Sequence, residues 1–497
     1  MMLLPPNSLL LSILLPLLAS TIAAPLSLRL KHKACWLVAF VLGLQVLLLL
    51  LVLLEVLYSG PLVELYPWPS PSFQALELSA DGMSISLALA MAFVCLCLAL
   101  YSPHYVKFRV EALYGHEEAG TSRHYVLFNA FYPLFSSSLV GLVLVANLMA
   151  IWFFMELPLI PFYFITASLG YRERRRVAVL GFIWGTLAST FFLAGALVAY
   201  YEVGSFSISA LPGLADSSSA LPACLLMLLG LLIKVAIFGF HVWLPWFEAE
   251  PPTCIAGVLA CYSSAGAYLV ARVLVLPLPS IMASFSTPIM AWALLTMVYG
   301  ALLSLAQDDV KRLCACSTIS QVAYSLLGVI SGATLGLAGG LFFLLSHCLN
   351  KSLLFSTAGL LVYETRERDV KRMGGLGRVL PATALLWALG AMALSAIPPF
   401  STFMAEMVMF SGIFSSATGL LKLAIALGAV LATSLTAAYT FWPLRRIFMG
   451  QPRGNPPGLR KAPKSMLASS FLLALASAAL GIWPGPVMDL IMRALGG

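Results

Sequence analysis

The chain has 497 residues, 61% of them hydrophobic and only 10% charged, with a mean hydropathy of +0.97. An ordinary soluble domain carries roughly a quarter charged residues, so a soluble globular protein is excluded and a polytopic membrane protein is implied. The net charge of +8 suggests an anionic partner at first sight, but its distribution is that of membrane topology, and nucleic acid is excluded as a partner.

The first apolar run lies in MMLLPPNSLLLSILLPLLASTIAAP, which has no basic residue before it. Its positive charges follow the run, so it reads as a retained first helix and not as a cleaved secretory signal. Runs of about 20 apolar residues then recur along the chain, each long enough to cross a hydrocarbon core of roughly 30 Å as a helix, and none has the alternation of a barrel strand. The predicted spans are 5–28, 35–58, 83–101, 126–146, 148–168, 176–200, 221–244, 253–276, 281–306, 312–331, 334–362, 380–415, 421–446 and 466–492. The expected fold is an all-α polytopic membrane protein of about 14 transmembrane helices. The twelfth span is too long for one straight crossing and is broken by SAIPPF.

Basic residues gather in alternate loops: Arg29, Lys31 and Lys33; Lys107, Arg109 and Arg123; Arg172, Arg174, Arg175 and Arg176. The series continues with Lys311 and Arg312, then Arg366, Arg368, Lys371, Arg372 and Arg378, and then Arg445, Arg446, Arg453, Arg460, Lys461 and Lys464. The intervening loops have almost none, and those after spans 2 and 6 hold Glu64, Glu77, Asp81, Glu202 and Asp216. By the positive-inside rule the basic loops face the cytoplasm or matrix and both termini face the other side.

Few ionisable groups are left at membrane depth: Glu156 in WFFMELPLIP, Lys234 and His241 in LIKVAIFGFH, His347 and Lys351 in SHCLNKSLLF, and Glu406 in STFMAEMVMF. A charge at the bilayer centre costs a few kcal/mol or more, so such residues normally face a bundle interior and serve transport. A lone buried histidine also serves as a hydrogen-bonded core residue, and a lysine near a helix end snorkels. Lys234 and Glu156 sit too deep in their predicted spans for that. A lysine among apolar walls has a proton affinity set by its burial and by any neighbouring carboxylate, so a movable counter-charge makes it bind and release a proton. His241, seven residues after Lys234, is expected roughly 10 Å further along the same helical face. His347 and Lys351 are four apart and share a face. The nine cysteines form no C-x-x-C pair and lie in or beside apolar runs, so they read as buried thiols, and a zinc or iron–sulfur site is not expected. No G-x-G-x-x-G follows a strand, so no dinucleotide site is expected.

Lys234 precedes a stretch with Gly239 and Pro245, and Glu406 follows Pro398 and Pro399. The two interrupted helices, spans 7 and 12, are five apart, an odd offset that places them in opposite orientations. Paired broken helices in inverted halves point to an ion site near the midplane. The expected organisation is N-terminal helices 1–3 over 1–125, a first inverted five-helix repeat over 126–276, a second over 277–450, and a C-terminal helix over 451–497.

The motifs DGMS, NLMAIWFFMELPLIPFYFI, LIKVAIFGFHVWLP, EPPT, DVKRLCACSTISQ, SHCLNKSLLF, DVKRMGGL and AAYTFWPLRRIFMG occur in this order between about residues 78 and 450. In them the chain resembles the antiporter-like subunits of proton-pumping NADH:ubiquinone oxidoreductase, respiratory complex I, and chain 4 in particular. The resemblance implies that Glu156 is the helix-5 carboxylate paired with Lys234, that Lys234 is the helix-7 proton-binding lysine, and that His241 and His347 are the helix-7 and helix-11 histidines. It implies that Glu406 is the helix-12 carboxylate that passes protons outward, a position where chains 2 and 5 and their antiporter relatives usually have lysine. The chain departs from the family pattern in CYSSAGAY, where Ser263 or Ser264 stands in place of a helix-8 lysine, at Gln321 in place of a frequent histidine, and at Trp246 and Glu248 in place of Asp and His. The central relay is then expected to use hydroxyls (Ser263, Ser264, Ser317), Gln321, ordered water or Lys351, a residue more like chains 2 and 5.

The function this implies is proton translocation in a membrane arm that couples electron transfer from NADH to ubiquinone to pumping. NADH, FMN, the iron–sulfur clusters and ubiquinone belong on that reading to partner subunits, and this chain carries no cofactor or metal. The expected partners are the other membrane-arm subunits, especially sister chains 2 and 5, and lipids such as cardiolipin. Two alternatives stand beside it: a cation/proton antiporter subunit without dehydrogenase partners, and a scaffold whose charges only specify packing. The motif departures suggest the mitochondrial inner membrane, with a bacterial plasma membrane as the alternative.

Overall fold

The apolar runs fold into fourteen membrane-crossing segments in the computed structural model, which describes residues 5–68, 75–115, 118–452 and 458–496. Arg453, one of the basic loop residues, lies outside the described residues. Helices α1 (Ser8–Leu30) and α2 (Cys35–Ser59) are joined by a single 3₁₀ turn over the basic Lys31–Ala34. Then come α3 (Gly82–Tyr114), α4 (Glu118–Leu144), the fifth crossing as α5 (Leu148–Glu156) and α6 (Leu159–Leu169), and α7 (Arg174–Val203). The seventh crossing is α8 (Ala220–Lys234) and α9 (Leu244–Ala249), and the eighth is α10 (Thr253–Leu269), which runs on as a π-helical turn over Val270–Val275. After these, α11 (Pro279–Leu305), α12 (Val310–Ile330) and α13 (Thr334–Thr365) cross singly. The twelfth crossing is α14 (Pro381–Leu394) and α15 (Ser401–Ser416), followed by α16 (Leu420–Pro443), α17 (Lys464–Ile482) and the short α18 (Gly485–Ala494). The predicted 466–492 is thus two pieces, divided at Trp483 and Pro484.

Hydrophobicity all round a helix means burial on all sides, and the most apolar windows of α10, α12 and α13 are wholly buried. These three helices are the core, and their buried side chains include His347 and Lys351 together with a set of hydroxyls. The corresponding windows of the α1–α2 pair, α16 and α17 are only 39%, 28% and 33% buried, as outward-facing helices require.

One element is not foreseen in the sequence. Strands β1 (Leu62–Pro67) and β2 (Ala75–Ala80) form an antiparallel hairpin with Val63 opposite Ser79. Glu64 closes an orphan helix end, accepting from the backbone N–H of Leu9 at 2.9 Å and Leu10 at 3.1 Å, and Glu77 accepts from the Ser207 hydroxyl at 2.7 Å. Asp81 then caps α3 in a capping box with Ser84 and pairs with Arg272, the arginine at this end of the eighth crossing. At the opposite, basic face, two DVKR segments clasp each other: Val310 N–H donates to Arg368 O at 3.0 Å and Val370 N–H to Asp308 O at 2.7 Å.

Both broken crossings stop in the same way. Ala236 and Ala396 take positive φ, 54° and 53°. Just beyond each of them, Ile237 N–H donates to Leu232 O at 3.3 Å and Ile397 N–H to Met392 O at 3.0 Å. This is the Schellman stop, with alanine where glycine is usual. The break in the seventh crossing therefore begins directly after Lys234, so that Lys234 ends α8 instead of sitting mid-helix, and His241 does not continue its helical face.

Close approach of α13 to α15 needs a glycine. A Cβ on Gly339 would lie 2.3 Å from the Met409 backbone nitrogen, a rigid obstacle. Gly339→Val is expected to lower stability by about 1–3 kcal/mol, the usual range for overpacking, read as a lower melting temperature of the purified protein; an unchanged melting temperature would show that the two helices part freely.

Candidate functional site

Lys234 is 2% exposed, and its Nζ has no hydrogen-bond partner among the described residues. It sits over the Tyr262 ring, 3.0 Å from the centroid, and a desolvated ammonium gains about 2 kcal/mol from such a face. As the last residue of α8 it also meets the negative end of that helix. The ring is held from below: the Tyr262 hydroxyl donates to Met155 O at 2.7 Å. Gly266, one turn on, leaves room for the residue that follows the lysine, since a Cβ there would be 2.6 Å from Val235 Cγ1.

Glu156 ends α5 beside this site but does not touch the lysine: among the described residues no ion pair within 4.0 Å joins them, and the carboxylate accepts instead from Ser189, and from Thr186 at 3.3 Å, both on α7. The two groups therefore face each other as counter-charges without contact, the carboxylate on hydroxyls of α7 and the lysine on the Tyr262 ring. Both groups stand at helix C-termini, which sequence periodicity does not reveal.

From Lys234 inward, α10 distributes contacts in three directions. Successive helical residues turn by 100°, so Tyr262 meets Lys234, Ser263 donates to Glu248 Oε1 at 3.2 Å, and Ser264 meets His347 Nδ1 at 2.8 Å. On α13, His347 and Lys351 share a face as predicted. Lys351 is fully buried and donates to Ser317 Oγ. The neighbouring Thr318 donates to Glu248 Oε2 at 2.6 Å. The hydroxyls of Ser263, Ser264 and Ser317 are thus gathered into the core with His347 and Lys351. Glu248 is the residue that sequence reasoning notes only as a departure. It lies between Pro245 and Pro251 and looks like part of a loop, but its side chain is 0% exposed. Once the segment is known to be helical, 246 and 250 fall on one side and 248 on the other, but six residues are too few to announce a helix in the sequence.

Further along α12, one turn past Ser317, Gln321 donates to Tyr439 Oη at 2.8 Å and to Thr436 Oγ1 at 3.2 Å. Glu406, 8% exposed in the second turn of α15, lies within electrostatic reach of Tyr439 and Tyr324. Polar groups therefore run from Lys234 through the core towards the second break.

His241 belongs elsewhere. Its Nδ1 accepts from Gly239 N–H at 3.2 Å and its Nε2 meets Tyr299 Oη on α11 at 3.1 Å, so it braces the break and faces away from the Lys234–Lys351 line.

The basic loops converge on a cavity of about 890 Å³. Tyr171 at its wall is flanked by Arg109, Lys311 and Arg368, which lie 3.8, 4.6 and 4.5 Å from the ring centroid. Arg368 also pairs with Asp309 at 2.8 Å and Glu250 at 3.9 Å. All nine cysteines are buried and unpaired.

A family model described as NADH:quinone oxidoreductase/Mrp antiporter, TM, matches residues 145–432. The chain is similar to NAD(P)H-quinone oxidoreductase chain 4-2 of Synechocystis sp., with 32% identity over 356 residues, 70% of this chain and 63% of that one. It is also similar to a Na(+)/H(+) antiporter subunit of Alkalihalophilus pseudofirmus, with 27% identity over 468 residues, 87% of this chain and 55% of that one. The chain spans less than two thirds of the length of either relative. It shares its fold with a chain of respiratory complex I from Thermus thermophilus, solved with bound NADH: TM-score 0.84, 24% identity, 98% of this chain and 100% of that one.

The Tyr262 ring supports Lys234, so its replacement is separable from loss of its hydroxyl. Tyr262→Phe forfeits one buried hydrogen bond, worth about 1 kcal/mol, whereas Tyr262→Leu also removes the cation–π face, about 2 kcal/mol more. Thermal unfolding should rank wild type above Phe above Leu; a Leu variant as stable as Phe would show that the ring does not hold the ammonium.

Proposed function

The chain belongs to the NADH:quinone oxidoreductase/Mrp antiporter transmembrane family, and on that premise we propose that it carries protons across the membrane as one part of a larger membrane complex. It is a multi-pass, antiporter-like membrane subunit. The observation that supports the proton reading best is the pair of matched Schellman breaks at Ala236 and Ala396. One follows directly on buried Lys234, the other precedes buried Glu406, and buried hydroxyls, His347 and Lys351 lie between. Ionisable groups at interrupted helices are costly unless they exchange ions. In this reading the residues over 126–276 and 277–450 form the two inverted halves, each contributing one break.

Mechanistically, a charge displaced in a neighbouring subunit moves Glu156 relative to Lys234. The lysine, held by a ring and a helix end and not by a fixed anion, then gains or loses its proton. The released proton passes inward by the α10 hydroxyls and leaves by Glu406. Electron transfer from NADH to a quinone belongs in this proposal to partner subunits that hold the flavin, the clusters and the quinone, with sister antiporter-like chains as lateral neighbours. The bacterial sources of the relatives support a plasma membrane, and they lend no support to the mitochondrial placement suggested by the motif departures.

The second reading, cation/proton exchange without a dehydrogenase, is favoured by the similarity to the Na(+)/H(+) antiporter chain of Alkalihalophilus pseudofirmus. One experiment separates them. In inverted vesicles carrying the intact complex, Lys234→Ala and Glu156→Gln are expected to cut protons moved per electron at least fivefold. An unchanged ratio in both sinks the coupled-pump reading, and proton release driven by added sodium without electron donor establishes the exchanger.

A further inference from the structure

We propose that Glu248 is the central proton-carrying carboxylate of this chain and exchanges its proton with Lys351 inside a closed ring of hydroxyls. The inference rests on the proton-transfer reading above and extends it to a residue that the reading does not use.

The ring can be followed residue by residue, through four side-chain contacts joined by neighbouring positions on α10, α12 and α13. Glu248 Oε1 accepts from Ser263 at 3.2 Å; the next residue, Ser264, meets His347 at 2.8 Å; His347 lies one turn before Lys351; Lys351 donates to Ser317; and the next residue, Thr318, donates to Glu248 Oε2 at 2.6 Å. Four elements, α9, α10, α12 and α13, each supply one side, and each titratable member is at most 1% exposed. The helix at the hub, α10, has no Lys, Arg, His, Asp or Glu of its own, so the ionisable groups come from its neighbours.

Two features separate this arrangement from a packing device. A static buried ion pair is stable when the charges touch and every remaining lone pair is filled, yet among the described residues no ion pair within 4.0 Å joins Glu248 to Lys351. Their partners are hydroxyls, and a hydroxyl both donates and accepts. Ser263 and Thr318 donate to a carboxylate, and either can accept from a carboxylic acid. Ser317 accepts from an ammonium and donates to a neutral amine, and Ser264 serves either tautomer of His347. Each of these contacts can therefore be kept whether Glu248 or Lys351 holds the proton, the serines Ser263, Ser264 and Ser317 having backbone carbonyls of Ala260 and Cys314 as second acceptors. A proton leaving Lys351 Nζ for a Glu248 oxygen converts ammonium and carboxylate into amine and carboxylic acid; one N–H bond breaks, one O–H bond forms, and the reverse transfer restores both. His347, whose Nε2 has no partner among the described residues, is the member open to onward transfer.

The test uses the intact complex in inverted vesicles, with protons moved per electron as readout and complex abundance in the membrane as the control for folding. Glu248→Gln is expected to lower the ratio about tenfold, Glu248→Asp to keep at least half of it, and Lys351→Gln to match Glu248→Gln. The double variant Glu248→Gln with Lys351→Gln should regain any abundance lost by the singles, because no uncompensated charge remains, while its ratio stays low. Glu248→Gln with a wild-type ratio, in a preparation where Lys234→Ala loses pumping, overturns this inference and leaves the parent reading standing. A double variant that regains both abundance and pumping also overturns it, since the pair is then packing alone. Full pumping in every variant, Lys234→Ala included, removes the parent reading itself.

Discussion

A backbone that stops being helical inside a membrane must find partners for the N–H and C=O groups it frees, because no lipid supplies them. The breaks after Lys234 and before Glu406 meet this demand locally, and much else in the fold is arranged around the solution. In the first break Phe238 N–H donates to Thr296 Oγ1 at 3.1 Å and Phe238 O accepts from Trp292 at 2.9 Å, both on α11, while His241 accepts from Gly239. In the second, Asn350 on α13 donates to Ala393 O at 3.2 Å and to Thr402 at 2.7 Å. The helix behind it approaches so closely that a Cβ on Gly481 would meet Pro399 O. The histidine that resembles a relay member is thus explained by backbone accounting: it satisfies a donor which the break exposed.

Fixing the breaks fixes where charge can sit. The C-terminal end of a helix carries a partial negative potential, which favours the ammonium of Lys234 at the end of α8 and opposes the carboxylate of Glu156 at the end of α5, so Glu156 rests on the hydroxyls of α7. The two charges are held apart by what each touches, a ring for the ammonium and hydroxyls for the carboxylate. This matters for function. A contact ion pair in a low-dielectric interior is hard to separate, whereas two charges with their own neutral partners respond to a modest shift in field. The same choice recurs in the core, where hydroxyls stand next to every titratable group of the ring.

The architecture is legible in the sequence because membrane crossing imposes length and composition: spans, loop charges and both broken helices follow from apolar runs, Lys and Arg positions, and proline. The site is legible as a set of buried ionisable residues, since each such group is costly enough to stand out. The rest is hidden, each part for a physical reason. Likeness of motif gives Glu156 and Lys234 as a pair, but the neutral groups each one rests on are side chains of α7 and α10, which no local pattern around either residue specifies. The outward turn of His241 depends on a left-handed alanine, Ala236, a conformation with no local residue signal where glycine is the usual occupant. Glu248 hides between prolines, in a segment whose length resembles a loop and whose six-residue helix is too short for periodicity to declare. The paired strands over 62–67 and 75–80 hide for a related reason: at six residues each they are too short for their alternation to stand out beside the long apolar runs.

That short helix is also where the two ends of the chain's chemistry meet. On one face of α9, Trp246 and Glu250 line the cavity at the basic side, where Arg312 lies 3.8 Å over the Trp246 ring and Arg368 reaches Glu250. On the other face Glu248 is enclosed by the hydroxyl ring. Pro245 fixes φ at the start of the element, and Pro251 and Pro252 follow its end, so α9 has little freedom to unwind. The charge clusters at the basic face and the buried carboxylate therefore share one short helix, and the contacts that place α9 at the cavity also place Glu248 between Ser263 and Thr318.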